Sequence, residues 1–117
     1  MVSLSMSFTG KRILLHKNLI ESLDKPEYLR FYVDEESKQL FIQGTDQPKD
    51  AYHLYYQNRS GDYVNSTPLM KYLAKVIGVD YPSASLRFQG QMLEDNQTAF
   101  FNLSDYTTLS SEKDLSE

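Results

Sequence analysis

The chain contains neither cysteine nor tryptophan. Without cysteine there is no disulfide staple, no thiolate metal site and no cysteine nucleophile. That absence fits a reducing, cytoplasmic setting. Proline (4) and glycine (5) are sparse. Gly10, Gly44, Gly61, Gly78 and Gly90 stand singly at turn-like positions, so no glycine-rich phosphate loop is present. No apolar run approaches the ~20 residues that span a bilayer. The opening residues Met1-Val-Ser-Leu-Ser-Met-Ser-Phe8 are neither basic nor continuously apolar, so no signal peptide is expected. The Asn-X-Ser/Thr triplets at Asn58, Asn65, Asn96 and Asn102 therefore read as chance matches. An excess of basic charge is also missing: 12 Lys/Arg face 16 Asp/Glu, a net charge of −4. Sequence-blind phosphate binding depends on such an excess, so broad non-specific nucleic-acid affinity is disfavoured.

What remains is a chain of 117 residues, 40% hydrophobic, with 9 Tyr and 6 Phe. That length suits one domain, and aromatics in this number favour sheet surfaces. The charge is unevenly placed. Residues 1–60 hold 8 Lys/Arg and 8 Asp/Glu, whereas residues 61–117 hold 4 and 8. The second half carries the whole net charge.

Residues 7–15, with Lys11-Arg-Ile-Leu-Leu15, read as a strand. Asn18 followed by Glu21 has the spacing of a capping box, with Leu19, Ile20 and Leu23 on one face of a short helix that Pro26 stops. Tyr28-Leu-Arg-Phe-Tyr-Val33 and Gln39-Leu-Phe-Ile-Gln43 form a hairpin across the polar turn Asp34-Glu-Glu-Ser-Lys38. Residues 51–56 and 62–64 form another hairpin around Asn58-Arg-Ser-Gly61. Thr67 is the expected cap of a helix with Pro68 at its first position. Leu69, Met70, Leu73, Ala74, Val76 and Ile77 make its apolar stripe, and Gly78 its left-handed terminus. Residues 85–89 and 98–103 are strands around the turn at residues 94–97. The polar stretch 107–117 is expected to be flexible.

The halves echo each other. Leu29-Arg-Phe31 matches Leu86-Arg-Phe88; Leu19, Ile20 and Leu23 match Leu69, Met70 and Leu73; Phe41 matches Phe101. The expectation is a single α+β domain over residues 1–106: a small pseudo-two-fold β-barrel of two strand–helix–strand–strand units, about 7–44 and 61–103. One such unit buries too little surface to stand alone.

The run Gly10-Lys-Arg-Ile-Leu-Leu-His-Lys-Asn-Leu-Ile-Glu-Ser-Leu23, with the hairpin that follows, resembles the AbrB/MazE/SpoVT swapped-hairpin family over about residues 10–44. Residues 66–103 look like a degenerate second copy. His16 stands where that family usually has proline, and Ile20 and Met70 where its helix has arginine. The resemblance implies a cytoplasmic bacterial or phage DNA-binding regulator or an antitoxin-like module. It also implies one chain doing the work of an interlocked dimer, with Lys11, Arg12 and Lys17 at the basic DNA-contacting positions.

Lys11, Arg12, Lys17 and Arg59 form a candidate phosphate-contacting set, against ordinary solubility charge. Tyr52, Tyr55, Tyr56 and Tyr63 form a candidate protein-contacting cluster, against a tyrosine-rich sheet surface. Asp62, Glu94 and Asp95 belong to an acidic face, shared with Asp80 and Asp105, that would meet a basic partner. The alternative function is therefore an acidic protein-binding inhibitor that targets a nucleic-acid enzyme. His16 and His53 have no sequence-local acid or serine partner, so no catalytic triad is expected; His53 should alternate outward. Arg30 and Arg87 are expected to pair with cross-strand carboxylates. The Asp34-Glu-Glu36 run lacks the spacing of a calcium loop. No enzyme activity, metal, cofactor, small-molecule substrate or membrane association is expected, and the chain is expected to be a monomer or homodimer.

Overall fold

A computed structural model describes residues 1–56, 62–79 and 85–109. The elements in chain order are β1 (Val2–Ser7), β2 (Arg12–Leu15), α1 (Lys17–Ser22), β3 (Tyr28–Asp34), β4 (Gln39–Thr45) and β5 (Tyr52–His53). They continue with β6 (Asp62–Asn65), α2 (Thr67–Ile77), β7 (Ser85–Met92), β8 (Thr98–Asn102) and β9 (Tyr106–Thr108).

The strands form one antiparallel sheet in the order β5-β3-β4-β8-β7-β1-β2-β6, with β9 added to β7. Tyr55 and Tyr63 then exchange backbone hydrogen bonds of 2.8 and 2.9 Å. That bridge brings β6 back to the β5 end of the sheet. The result is a nearly closed antiparallel barrel with two helices among the described residues, a barrel-like α+β fold. Near-closure shortens the exposed strand edges, which otherwise recruit other chains.

Alternation builds the barrel interior. Val2, Leu4, Met6 and Phe8 point inward from β1 and its following turn. They join Ile13, Leu15, Leu29, Leu40, Ile42, Leu54, Val64, Leu86, Phe88, Ala99 and Phe101 in one buried cluster. Leu19 and Ile20 from α1, and Leu69, Met70, Leu73, Ala74 and Ile77 from α2, complete it.

Several local expectations shift. Residues 7–15 are not one strand: the chain turns at residues 8–11, Lys11 takes φ 57° and donates its N–H to the Phe8 carbonyl. Two strands therefore precede α1. The strict alternation Val-Ser-Leu-Ser-Met-Ser-Phe was a period-2 signal for β1. The residue preceding α1 is His16, not Asn18, and it makes no side-chain cap bond. The Asn18 side chain instead accepts from the Ser3 N–H and donates to the Met1 carbonyl. Ser66, one residue before Thr67, caps α2 by accepting from the Leu69 N–H at 3.3 Å. Gly78 closes α2 at φ 89°, as its position implied.

Phe41 and Phe101 are not equivalent. Phe101 is buried opposite Leu40, while Phe41 lies on the outer face opposite Phe100, ring centroids 5.5 Å apart. A one-residue offset puts side chains on opposite faces of a strand. Within the stretch expected to be flexible from residue 107, Thr107 pairs with Arg87 and Thr108 with Leu86.

Candidate functional site

The outer face across β3, β5, β6 and β2 carries a continuous aromatic strip. Tyr28 on β3 meets His53 on β5 edge-to-face at 5.4 Å. His53 meets Tyr55, two residues on, at 4.5 Å. Tyr55 stacks on Tyr63 of β6 at 5.3 Å with the planes 23° apart. The Arg12 guanidinium of β2 lies over Tyr63, 5.5 Å from the ring centroid. Alternation explains the strip: Leu54 and Val64 turn inward, so their neighbours face out. The barrel bridge between Tyr55 and Tyr63 brings β5 and β6 side by side.

The structure thus joins two residue sets that sequence treated separately. Arg12 from the basic set and Tyr55 and Tyr63 from the tyrosine set are in one strip. His53, which faces outward as alternation required, becomes part of it. Tyr28 was not singled out by sequence; its outward parity on an aromatic-rich strand was the available signal.

Other members disperse. Lys11 and Lys17 lie at opposite ends of β2, with about 13 Å of extended chain between. Lys17 is exposed and reaches Glu21 at 3.9 Å, one helical turn away. Arg59 and Asp80 lie outside the described residues. Tyr52 points inward and packs edge-to-face on Phe31 at 5.6 Å. Tyr56 is exposed, and its hydroxyl donates to the Pro26 carbonyl. Burial of part of the ring, and then the nearby Asp62 carboxylate, push the Tyr56 hydroxyl pKa up. Glu94 and Asp95 are on the opposite hairpin, β7–β8. The Asp95 carboxylate accepts from the Gln97 and Thr98 N–H groups and the Thr98 hydroxyl, which lowers its pKa and holds the turn. The acidic set is therefore not one face with Asp62. Arg30 faces Gln43 rather than a carboxylate, and donates to the Lys49 carbonyl at 3.4 Å. Arg87 lies across from Ser5 and Thr107.

One feature of the strip is energetically unusual. Arg12 Nε is buried and has no hydrogen-bond partner among the described residues. A desolvated donor without an acceptor costs about 1–3 kcal/mol, so this guanidinium is held by its ring contact rather than by complementary charge.

Sequence also gave no sign of a polar clasp at β1. The Ser3 hydroxyl is 2.8 Å from His16 Nδ1, and the buried Ser5 hydroxyl 2.9 Å from Nε2. Burial, then the Arg87 charge, lowers the His16 pKa, favouring a neutral ring that donates at one nitrogen and accepts at the other. Among the described residues no carboxylate bonds this ring, so the triad arrangement is not assembled there. The clasp instead ties the start of α1 to β1. A small pocket of about 80 Å³ on the neighbouring strands, lined by Arg87, Gln89, Asp105, Tyr106 and Thr107, is well below the size of a typical ligand site. No helix among the described residues is long and apolar enough to cross a membrane.

No protein-family model, curated protein or solved structure matches this chain.

Proposed function

We propose that this protein is a small non-enzymatic DNA-binding regulator, an AbrB-like barrel of two fused and interlocked units, with its contact surface centred on Arg12. The observation that carries this reading is the Arg12 guanidinium, held over Tyr63 on the outer face with a buried Nε that no described group accepts from. The residue is only part-buried, so a phosphate or a base acceptor can meet its charge without reaching Nε. Lys11, the residue before it, adds a second exposed positive charge at the β1–β2 turn.

Strand pairing supports the two-unit reading. Exchanging β1, β2, β3 and β4 for β5, β6, β7 and β8 converts the β1–β7 pairing into β5–β3, and leaves β2–β6 and β4–β8 in place. Each unit is then a hairpin, a helix and a second hairpin, one strand longer than sequence suggested. The test is a gel shift on fragmented genomic DNA, native and heat-denatured, with wild type and a Lys11→Glu/Arg12→Glu variant. A salt-sensitive shift that the variant loses is the expected result. Absence of any shift at low salt on either form sinks the reading.

The uneven charge favours a second reading. The net −4 arises from residues 61–117, and Tyr55 and Tyr56 are 46% and 48% exposed. Tyr56, with the Asp62 carboxylate nearby, suits a basic protein partner. Affinity purification from the native host, with and without nuclease, separates the two: a partner retained after nuclease is a protein held directly.

A further inference from the structure

We propose that the strip Tyr28–His53–Tyr55–Tyr63–Arg12 is a stacking platform for single-stranded DNA. The inference rests on the DNA reading above and names the form of nucleic acid that the surface takes.

Three observations carry it. The first is ring placement. Rings on three strands follow one another at 4.5–5.4 Å between centroids, and the fourth strand adds a guanidinium plane at 5.5 Å. Unpaired bases stack on such aromatic and guanidinium faces, whereas a duplex hides its base faces inside its own stack. Tyr55, in the middle of the strip, is 46% exposed, so ring surface is open to a base.

The second is charge. Outward positions on this face are Tyr28, Arg30 and Tyr32 on β3, His53 and Tyr55, Tyr63 and Asn65 on β6, and Arg12 on β2. Asp34 shares that parity on β3 but lies about 20 Å of extended strand from Tyr28, and Asp62 falls on the other parity of β6. Within a chain of net charge −4, the ring positions Tyr28, His53, Tyr55 and Tyr63 are thus flanked by Arg12 and Arg30, which complements a polyanion.

The third observation decides between duplex and single strand. Duplex binders neutralise many phosphates at once. Among the described residues Arg12 and Arg30 are the arginines at those outward positions, Lys11 adds a charge at the adjoining turn, and Lys17 lies past the far end of β2 beside Glu21. Three phosphate contacts are few for a duplex, but they suffice to orient a strand whose bases stack. Arg12 as a whole is only part-buried, so its charge is within reach of the strand.

The experiment uses the full chain with fluorescein-labelled oligothymidylate, the matching oligouridylate, and a duplex of equal length, read by anisotropy across a salt series. Quenching of tyrosine emission is followed in parallel; with no Trp in the chain it reports the tyrosines directly. The expected result is tighter binding of oligothymidylate than of duplex, with a log–log salt slope near −2, about −0.7 for each of three phosphates. Tyr55→Ala and His53→Ala should each weaken it about tenfold. Tyr55→Phe should retain it, and Tyr72→Ala on α2 should leave it unchanged. Thermal melting of each variant separates lost binding from lost fold, and Tyr55→Phe keeps the test open if Tyr55→Ala does not fold. Equal or tighter duplex binding, binding of oligouridylate alone, or indifference to Tyr55→Ala and His53→Ala overturns the single-strand inference and leaves the wider nucleic-acid reading standing. No binding to any oligonucleotide overturns both.

Discussion

Arg12 and Tyr63 come from opposite halves of the chain, and the guanidinium of one lies 5.5 Å from the ring centre of the other. Arg12 is directly opposite Asn65 and diagonal to Tyr63 in the β2–β6 ladder, a spacing that long side chains bridge. A cation over a tyrosine face is worth about 0.5–2 kcal/mol. The buried, unpartnered Nε costs a similar amount. The two nearly cancel, so the geometry is not explained by stability.

Arg12→Met should therefore leave folding stability within about 1 kcal/mol of wild type while abolishing nucleic-acid binding. Urea denaturation and anisotropy on the same preparation check it. A loss beyond about 2 kcal/mol would make Arg12 a structural residue and remove the main argument for the contact surface.

His16 predicts a pH dependence. Its pKa in the fold is lowered by burial and then by Arg87. A lowered histidine pKa means the unfolded chain binds the proton more readily, so protonation favours unfolding. Stability should be fully present above about pH 6.5, the unfolded value, and fall as pH drops below it toward the folded pKa. His16→Gln should flatten that part of the profile. Urea midpoints for both proteins between pH 7.5 and 5.5 give the comparison, and parallel profiles would refute the assignment.

Gly90 should not tolerate a side chain. A Cβ there would lie 2.1 Å from the Phe100 carbonyl oxygen and 2.7 Å from Phe101 Cδ1. Gly90 pairs with Val2 just before β7 passes to β8 at Gln91. Gly90→Ala should cost about 2–3 kcal/mol, or roughly 10–20 °C in melting temperature for a domain of this size. A shift under 2 °C would mean the strands separate there freely.

The cap of α2 separates sequence spacing from structure. Ser66→Ala should cost about 1 kcal/mol by freeing the Leu69 N–H. Thr67→Ala, inside the first turn, should cost much less. Chemical denaturation of the two variants side by side would show the reverse order if Thr67 were the cap.

Sequence alone determined the local units. Alternating aromatic and branched residues specify β3, β4, β7 and β8; the 3.6-residue stripe from Leu69 to Ile77 specifies α2; Gly78 ends it. These are short-range matters, set by which side chains share a face and which backbone angles a residue allows. The same period-2 logic was available for β1 in its Val-Ser-Leu-Ser repeat, although the turn after it was hidden in a run of strand-forming residues. Tertiary structure alone decided the neighbours. Nothing local says that β1 lies between β2 and β7, that β8 rests on β4 so that Phe101 is inside and Phe41 out, or that Tyr55 closes on Tyr63. Strand order and register depend on burying one shared core across the whole chain. The Arg12–Tyr63 contact follows from that closure. The basic set and the tyrosine set, far apart along the chain, become one surface only when β2, β6 and β5 stand side by side.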